Sequence, residues 1–467
     1  MRRIVTGPLG YLATLARSAA RGWDAFFFKP ADPTSLGVMR VVVGGLLFWS
    51  LFVFGLDLPD YFGSNGWVDP AALKHSFAEQ TPYAWTFWTS VPDGALRAAW
   101  VGALAVLAMF TLGLFSRVTA VLAWLIVVAT ARRVPVALYG FDQAISTWAF
   151  YLAVTGASGQ AVSLDRFIAR WRVAREGTTT ARRRRDGLWP LGPGVPTPSV
   201  SANLGIRLIQ LHLCVMYGMA GLAKLQGPAW WAGEAVWGTL AAGEFRLFDL
   251  TWLASYPLLI NVMTHGSLAL EMTYAVLVWN RTVRPLLLAC VTALHAGVGL
   301  TLGLTEFSLA MIAANLAFVR GSWLRSLVTG LDPSGMTSKV LYDGGCPRCR
   351  AVMCWVSAAD PDRLIEPVDL TAVDVSTVHP SLTREACMRS MHVVGPDGRV
   401  FAGYDAVTRI GRLLPAFYPF GLVGSLPGVT WAGHRAYNAI ASRRGRDAVC
   451  NDEVCSVHPT APAARRR

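Results

Sequence analysis

Eight apolar runs, most near twenty residues long, constrain this chain more than any other feature. They lie at about 37–57, 96–115, 118–136, 143–158, 203–223, 251–279, 285–303 and 305–320. A helix of about 20 apolar residues spans a hydrocarbon core of ~30 Å. In lipid, only helices and closed barrels satisfy their own backbone polar groups. The runs predict a polytopic α-helical membrane protein of about eight spans. The second and third, split only by Phe115-Ser116-Arg117, read as a helical hairpin. The sixth is long for one span and suggests tilt or an interfacial piece near Trp252; the eighth is short. Charged residues are 15% of the chain, against ~25% in soluble domains. That excludes a disordered chain and an ordinary cytosolic enzyme.

Basic residues predict the orientation. The N-terminal stretch carries Arg2, Arg3, Arg17, Arg21 and Lys29. The loop after the fourth run carries Arg166, Arg170, Arg172, Arg175 and Arg182 to Arg185. The loops on the other side carry chiefly Lys74, Arg132, Arg133 and Arg246. Positive-inside bias places the N-terminus in the cytoplasm, and eight spans return the C-terminus there. The formal charge of +13 then reads as a topology signal beside anionic lipid, with no nucleic-acid partner. Arg17 and Arg21 cut short the apolar stretch Pro8–Ala16, so residues 1–29 read as an amphipathic interfacial segment, not a cleaved signal.

Past a linker over 323–337 the composition changes. The remaining residues hold 16 basic and 12 acidic side chains and six of the eight cysteines: Cys346, Cys349, Cys354, Cys387, Cys450 and Cys455. Lys339 to Tyr342 reads as a buried strand, Asp343-Gly344-Gly345 as a turn, and Arg350 to Ala359 as a helix. Between turn and helix stands Cys346-Pro347-Arg348-Cys349. Unpaired N–H groups and the partial positive charge of a helix start stabilise a thiolate, which makes Cys346 the attacking thiol. Cys349 would close the disulfide and release the partner. Such a strand and C-x-x-C signal thioredoxin-like redox chemistry. Two other readings stay open. Cys450 and Cys455 could complete a four-cysteine zinc site, or act as a second thiol pair that relays electrons. Cys354 and Cys387 read as core residues.

The motif V-L-Y-D-G-G-C-P-R-C over 340–349 resembles the signature of the DCC family of thiol-disulfide oxidoreductase-like proteins. The blocks 393–406 and 437–444 resemble it too. The similarity covers about 338–446, leaving 447–467 as a cysteine-containing tail. It implies a thioredoxin-like α/β domain with Cys346 and Cys349 as the redox pair and Asp343 beside them. It names no substrate.

Within the spans, ionisable groups are costly and are usually paired or functional. His212 and Lys224, twelve residues apart, return close to one helical face, with Tyr217 and Gly221 along a neighbouring stripe. Glu271 and His295 follow on later runs, and Asp142 opens the fourth. Clustered in a dry setting, these would let Lys224 act as a base. The plainer readings are snorkelling for Lys224, packing for His212, and a structural pairing of Glu271 with His295 or Arg281.

Residues 32–40, 163–165, 220–225, Glu271, His295 and 306–308 resemble the horizontally transferred transmembrane (HTTM) domain, shared with vitamin K-dependent gamma-carboxylase, over about 30–322. The resemblance implies that Lys224 stands where the carboxylase lysine deprotonates vitamin K hydroquinone. Two departures disfavour glutamyl carboxylation. Asp142 falls where the carboxylase has a functional histidine, and a thiol domain follows the spans in place of a β-rich recognition domain.

The leading expectation is a multi-pass cell-membrane oxidoreductase with both termini cytoplasmic. Its membrane site would take a lipid quinone (menaquinone or vitamin K hydroquinone type) or another apolar substrate, with no metal. Its C-terminal domain would exchange thiols with a protein or small-molecule partner. Lys224 is expected near the outer boundary and Cys346 inside. The alternatives are a maturation enzyme for a secreted peptide, and a non-enzymatic lipid-binding protein with a zinc-binding tail.

Overall fold

The computed structural model describes residues 8–80, 83–176, 196–243, 247–329 and 337–442. Arg182 to Arg185, Cys450 and Cys455 lie outside the described residues. The chain forms two compact units: residues 1–163 with 198–320, and residues 164–197 with 321–467.

The first unit is helical. An N-terminal helix, α1 (Pro8–Phe27), leaves most of its side chains exposed. Each of the eight apolar runs forms a helix. These are α2 (Thr34–Phe54), α3 (Asp93–Leu112), α4 (Ser116–Arg133) and α5 (Gly140–Thr155). After α6 (Leu164–Glu176), which belongs to the second unit, come α7 (Val200–Lys224), α8 (Pro257–Leu277), α9 (Arg284–Leu302) and α10 (Thr305–Asn315). The turn expected near Trp252 is a 3₁₀ turn over Thr251–Ser255.

Among the described residues, four helical stretches are both long and apolar enough to cross a membrane: Thr34–Phe62, Asp93–Leu112, Val200–Lys224 and Arg284–Leu302. The others fall short for separate reasons. The α4 helix carries Arg117, Arg132 and Arg133, and α8 carries Asn261, His265 and Glu271. The α5 helix has 16 residues and α10 has 11. The chain is a membrane protein, and its apolar helices share one core around Leu36, Met39, Phe110, Trp148 and Ile209.

Arg133 is no loop charge, as its position in the sequence suggests. Its side chain is fully buried and donates to the carbonyls of Val68 (2.8 Å) and Gly63 (2.9 Å), fixing the turn between them. Arg40 is likewise buried and donates to the Ser158 carbonyl at 2.6 Å.

The second unit is an α/β domain. After α11 (Gly321–Thr329) come β1 (Ser338–Tyr342), α12 (Pro347–Ala359) and β2 (Ile365–Asp369). Then follow α13 (Arg384–Arg389), β3 (His392–Val394), β4 (Val400–Ala402) and α14 (Tyr404–Leu413). The last described elements are α15 (Tyr418–Gly424) and α16 (Pro427–Ser442). The sheet order is β2-β1-β3-β4, with β1 parallel to β2 and antiparallel to β3, and β3 antiparallel to β4. Parallel strands need a crossover, and α12 supplies it. This is the thioredoxin-like arrangement.

The domain also takes a helix from the middle of the chain. Phe167 and Trp171 of α6, four residues apart and so on one face, meet Trp355 of α12 with centroids at 5.0 and 6.3 Å. Arg170 Nε donates to the Ala358 carbonyl, occupying an acceptor that the end of α12 leaves open. Two arginines read from the sequence as topology charges thus have structural roles, since Arg166 is buried too.

Asp360, at the end of α12, accepts from the amides of Leu364 (3.1 Å) and Ile365 (2.8 Å) and so positions the start of β2. Burial, aided by the charge of Asp362, pushes its carboxyl up to about 6 against the backbone hydrogen bonds. The folded domain therefore keeps a proton between about pH 4 and 6 that the unfolded chain has released. The stability linked to this group rises as pH falls through 6 and levels off below about 4, by on the order of 2–3 kcal/mol in all. Asp360→Asn should flatten that rise, as read from hydrogen exchange of β1 and β2 between pH 4 and 7.

Two candidate active sites

The thiol site grows from local sequence. Cys346 holds the cap position of α12 in an extended conformation, and Pro347 is its first helical residue. Proline there has a pre-set φ and loses no amide that the helix needs. The first-turn amides of Arg348 and Cys349 lack intrahelical acceptors, so the helix start favours negative charge. Cys346 is partly exposed. Cys349 is half-buried and packs against the core. The two are not joined by a disulfide.

The turn before Cys346 is held from two sides. Asp343 accepts from the Gly345 amide at 2.9 Å, and its carbonyl accepts from the Cys346 amide at 3.1 Å. Asp369 accepts from the Gly344 amide at 3.1 Å. A Cβ on Gly344 would lie 2.0 Å from that carboxylate, so the position demands glycine. Asp343 thus shapes the loop that presents Cys346.

Cys346, Cys349 and Asp343 line a cleft of about 690 Å³. Its far wall is Cys387, Met388 and the backbone 389–391, with Ala441 of α16 on the rim. Burial pushes the Cys387 thiol up, which keeps it protonated and makes it a wall residue. Cys354 is disulfide-bonded, unlike the packing thiol read from sequence.

The second site lies inside the helical unit. Tyr217, Gly221 and Lys224 share one face of α7. A Cβ on Gly221 would lie 2.7 Å from Met272 Sδ, so glycine lets α7 and α8 approach closely there. Next to that contact Lys224 Nζ donates to Glu271 Oε2 at 2.7 Å, and Nζ stands 5.2 Å from the Trp230 ring centroid. Glu271 has 10% of its side chain exposed and Lys224 25%.

A turn deeper, an uncharged relay runs between four helices. Tyr274 O–H donates to Asn315 Oδ1 (2.7 Å), and Asn315 Nδ2 donates to Tyr217 Oη (3.3 Å). Tyr217 and His295 Nε2 are 2.7 Å apart. If Tyr217 accepts from Asn315, it donates to Nε2, and the network then assigns the remaining proton of a neutral imidazole to Nδ1. That Nδ1 is buried and has no hydrogen-bond partner.

The structure brings Lys224, Glu271, Tyr217 and His295 into this region. His212 goes elsewhere: its Nδ1 pairs with Tyr151 Oη at 3.0 Å and its ring meets Trp148 edge-on. Asp142 caps its own helix, accepting from the Tyr139 amide at 3.0 Å. Sequence reasoning missed Tyr274 and Asn315. The one available signal was an amide and a phenol within otherwise apolar runs.

Comparison with protein families agrees with this division. Residues 199–323 match the HTTM domain, and residues 340–447 match the DCC1-like thiol-disulfide oxidoreductases. The chain therefore carries an HTTM domain followed by a DCC1-like thiol-disulfide oxidoreductase domain. The HTTM match contains Lys224, Glu271, Tyr217, His295 and Asn315, and begins beyond Asp142. No match was found among curated proteins or solved structures.

Proposed function

We propose that this protein is a membrane-held thiol-disulfide oxidoreductase whose helical unit binds an apolar, quinone-type molecule. The observation that carries the thiol half is Cys346 at the cap of α12, with Cys349 one turn inside and a cleft in front. Cys346 thiolate attacks a partner disulfide, forms a mixed disulfide and expels one partner thiolate. Cys349, deprotonated, then attacks Cys346 sulfur, expels the second partner thiolate and leaves a Cys346–Cys349 disulfide. The partner gains two electrons and two protons; the reverse direction oxidises a dithiol.

The test is direct. Cys349→Ser cannot complete the second attack, so membranes carrying that variant should accumulate one mixed disulfide on Cys346, identified by mass spectrometry. Absence of any trapped species, together with stoichiometric zinc in the purified protein, would favour the zinc reading and sink this one.

For the membrane half, the donor set suits a quinone headgroup. His295 Nδ1–H and Lys224 are donors of the kind that quinone oxygens accept, and Tyr217, Tyr274 and the apolar helix walls suit its ring. Such a molecule would supply a hydroxyl that can be deprotonated or a ring that takes electrons. Lys224 Nζ donates to Glu271 and has further N–H groups that could serve a ligand oxygen, and Tyr217 holds the His295 ring at Nε2.

The positive-inside reading keeps both termini cytoplasmic. It is supported by α6, which belongs to the thiol-domain unit and so shares its side of the membrane. An even number of crossings must then separate Glu176 from Gly321, and α7 and α9, the two helices there that are long and apolar enough to cross, satisfy this. Lys224 ends α7 at the far side, ~37 Å along a 25-residue helix. A secreted peptide remains the second reading for the Lys224 site, on the strength of the HTTM match.

A further inference from the structure

The closing helices of the thiol domain are turned inside out. On α15, Gly421 and Gly424 are the buried residues. A Cβ on Gly421 would lie 2.6 Å from the Arg412 amide nitrogen, and one on Gly424 would lie 3.0 Å from Tyr404 Oη. The large apolar residues point outward instead: Phe420 is 72% exposed, Val423 54%, Leu426 54% and Trp431 60%. Soluble domains rarely leave a contiguous apolar patch without a function for it.

Among the described residues, α15 and α16 carry Arg435 and His434 and no Asp or Glu, and Asp405 of α14 meets His434 at 3.2 Å. Arg435 lies 4.1 Å from the centroid of the exposed Trp431 ring. Exposed Trp and Phe beside Arg is the composition of an interfacial helix on anionic lipid. The location fits as well. The helix α11 begins directly after the apolar stretch Thr305–Phe318 and packs against α14 and the turn Pro415–Phe417, next to α15. The same face borders the thiol cleft: Ala441 of α16 is on its rim, and Tyr437 Oη accepts from the Met391 amide at 2.9 Å.

We propose that the α15–α16 face rests in an anionic phospholipid surface and so offers the Cys346 cleft to thiol or disulfide partners carried at the membrane. The second clause rests on the thiol-exchange reading; the docking itself does not. Phe420, Val423, Leu426 and Trp431 enter the headgroup–acyl boundary, while Arg435 meets lipid phosphate. A membrane-borne partner then reaches Cys346 from the bilayer edge.

Hydrogen exchange of the full chain in nanodiscs tests this. Amides over 418–442 should exchange roughly tenfold more slowly in discs rich in phosphatidylglycerol than in phosphatidylcholine discs. The exposed-site double variant Phe420→Ser/Trp431→Ser should lose that difference and keep the protection of β1, which shows that the domain is folded. Equal exchange in both discs overturns the proposal, whether fast, as for a solvated face, or slow, as for a face covered by protein. The double variant should still trap a soluble disulfide partner when combined with Cys349→Ser. Lipid-dependent protection without any trapping would remove the thiol chemistry and leave the docking standing.

Discussion

Cys346→Ser should reduce disulfide turnover to the uncatalysed background, while Cys349→Ser should retain one attack per chain and no turnover. The asymmetry follows from position. Cys346 caps α12, ahead of its first helical turn, and lines the cleft that a partner would enter. A serine oxygen in that place is not ionised at neutral pH and forms no disulfide. Cys349 is one turn inside and packs on the core, so its task is to attack the neighbouring sulfur once a mixed disulfide exists. Cys346→Ser keeps the fold, because Cys346 makes its structural contacts through backbone atoms: its carbonyl accepts from the Arg350 amide and its amide donates to the Asp343 carbonyl. The measurement is reduction of a peptide disulfide by dithiothreitol, with the wild-type and both variants in the same membranes. Equal turnover by Cys346→Ser and wild-type would remove Cys346 from the reaction.

The thiol site was legible because its geometry is local. A strand, a tight turn with two glycines, and a proline at a helix start follow one another within ten residues, and each step has few conformations open to it. The membrane site was legible only in part. Read from the sequence, His212 falls close to the face of Lys224, with Tyr217 and Gly221 on a neighbouring stripe. Twelve residues are about three and a third turns, so it is Tyr217, Gly221 and Lys224 that share a face, and periodicity does not say which helix covers it. That Glu271 pairs with Lys224, and not with His295 or Arg281 as the plainer reading has it, depends on α7 packing against α8 at Gly221 and Met272, a contact between distant segments. His212 shows the converse, since the same helix turns it toward α5, where Tyr151 takes its proton or lone pair. The least legible feature is α6. Its arginines obey the charge bias of a cytoplasmic loop, and that bias hid their contacts with α12. The spacing of Phe167 and Trp171 on one face was the signal that this loop had a surface to cover.

Lys224→Ala should destabilise the helical unit by ~3 kcal/mol and abolish quinone binding, whereas Lys224→Met/Glu271→Met should restore most of the stability and none of the binding. Removing one member of a buried ion pair leaves the other charge without compensation, at a cost of about 3–5 kcal/mol; the lower figure applies because a quarter of the Lys224 side chain is exposed. Replacing both members with apolar side chains of similar length removes the stranded charge, and such replacements are often close to neutral. Stability recovered without binding separates the two roles of Lys224, partner of Glu271 and donor to the ligand. Thermal unfolding gives the first readout and tryptophan quenching by a short-chain naphthoquinone the second, with Trp230 beside Lys224 as the reporter. Binding restored in the double variant would show that Lys224 serves the packing of α7 on α8 alone. The ligand would then be held by His295 Nδ1 and the relay behind it, which neither substitution touches.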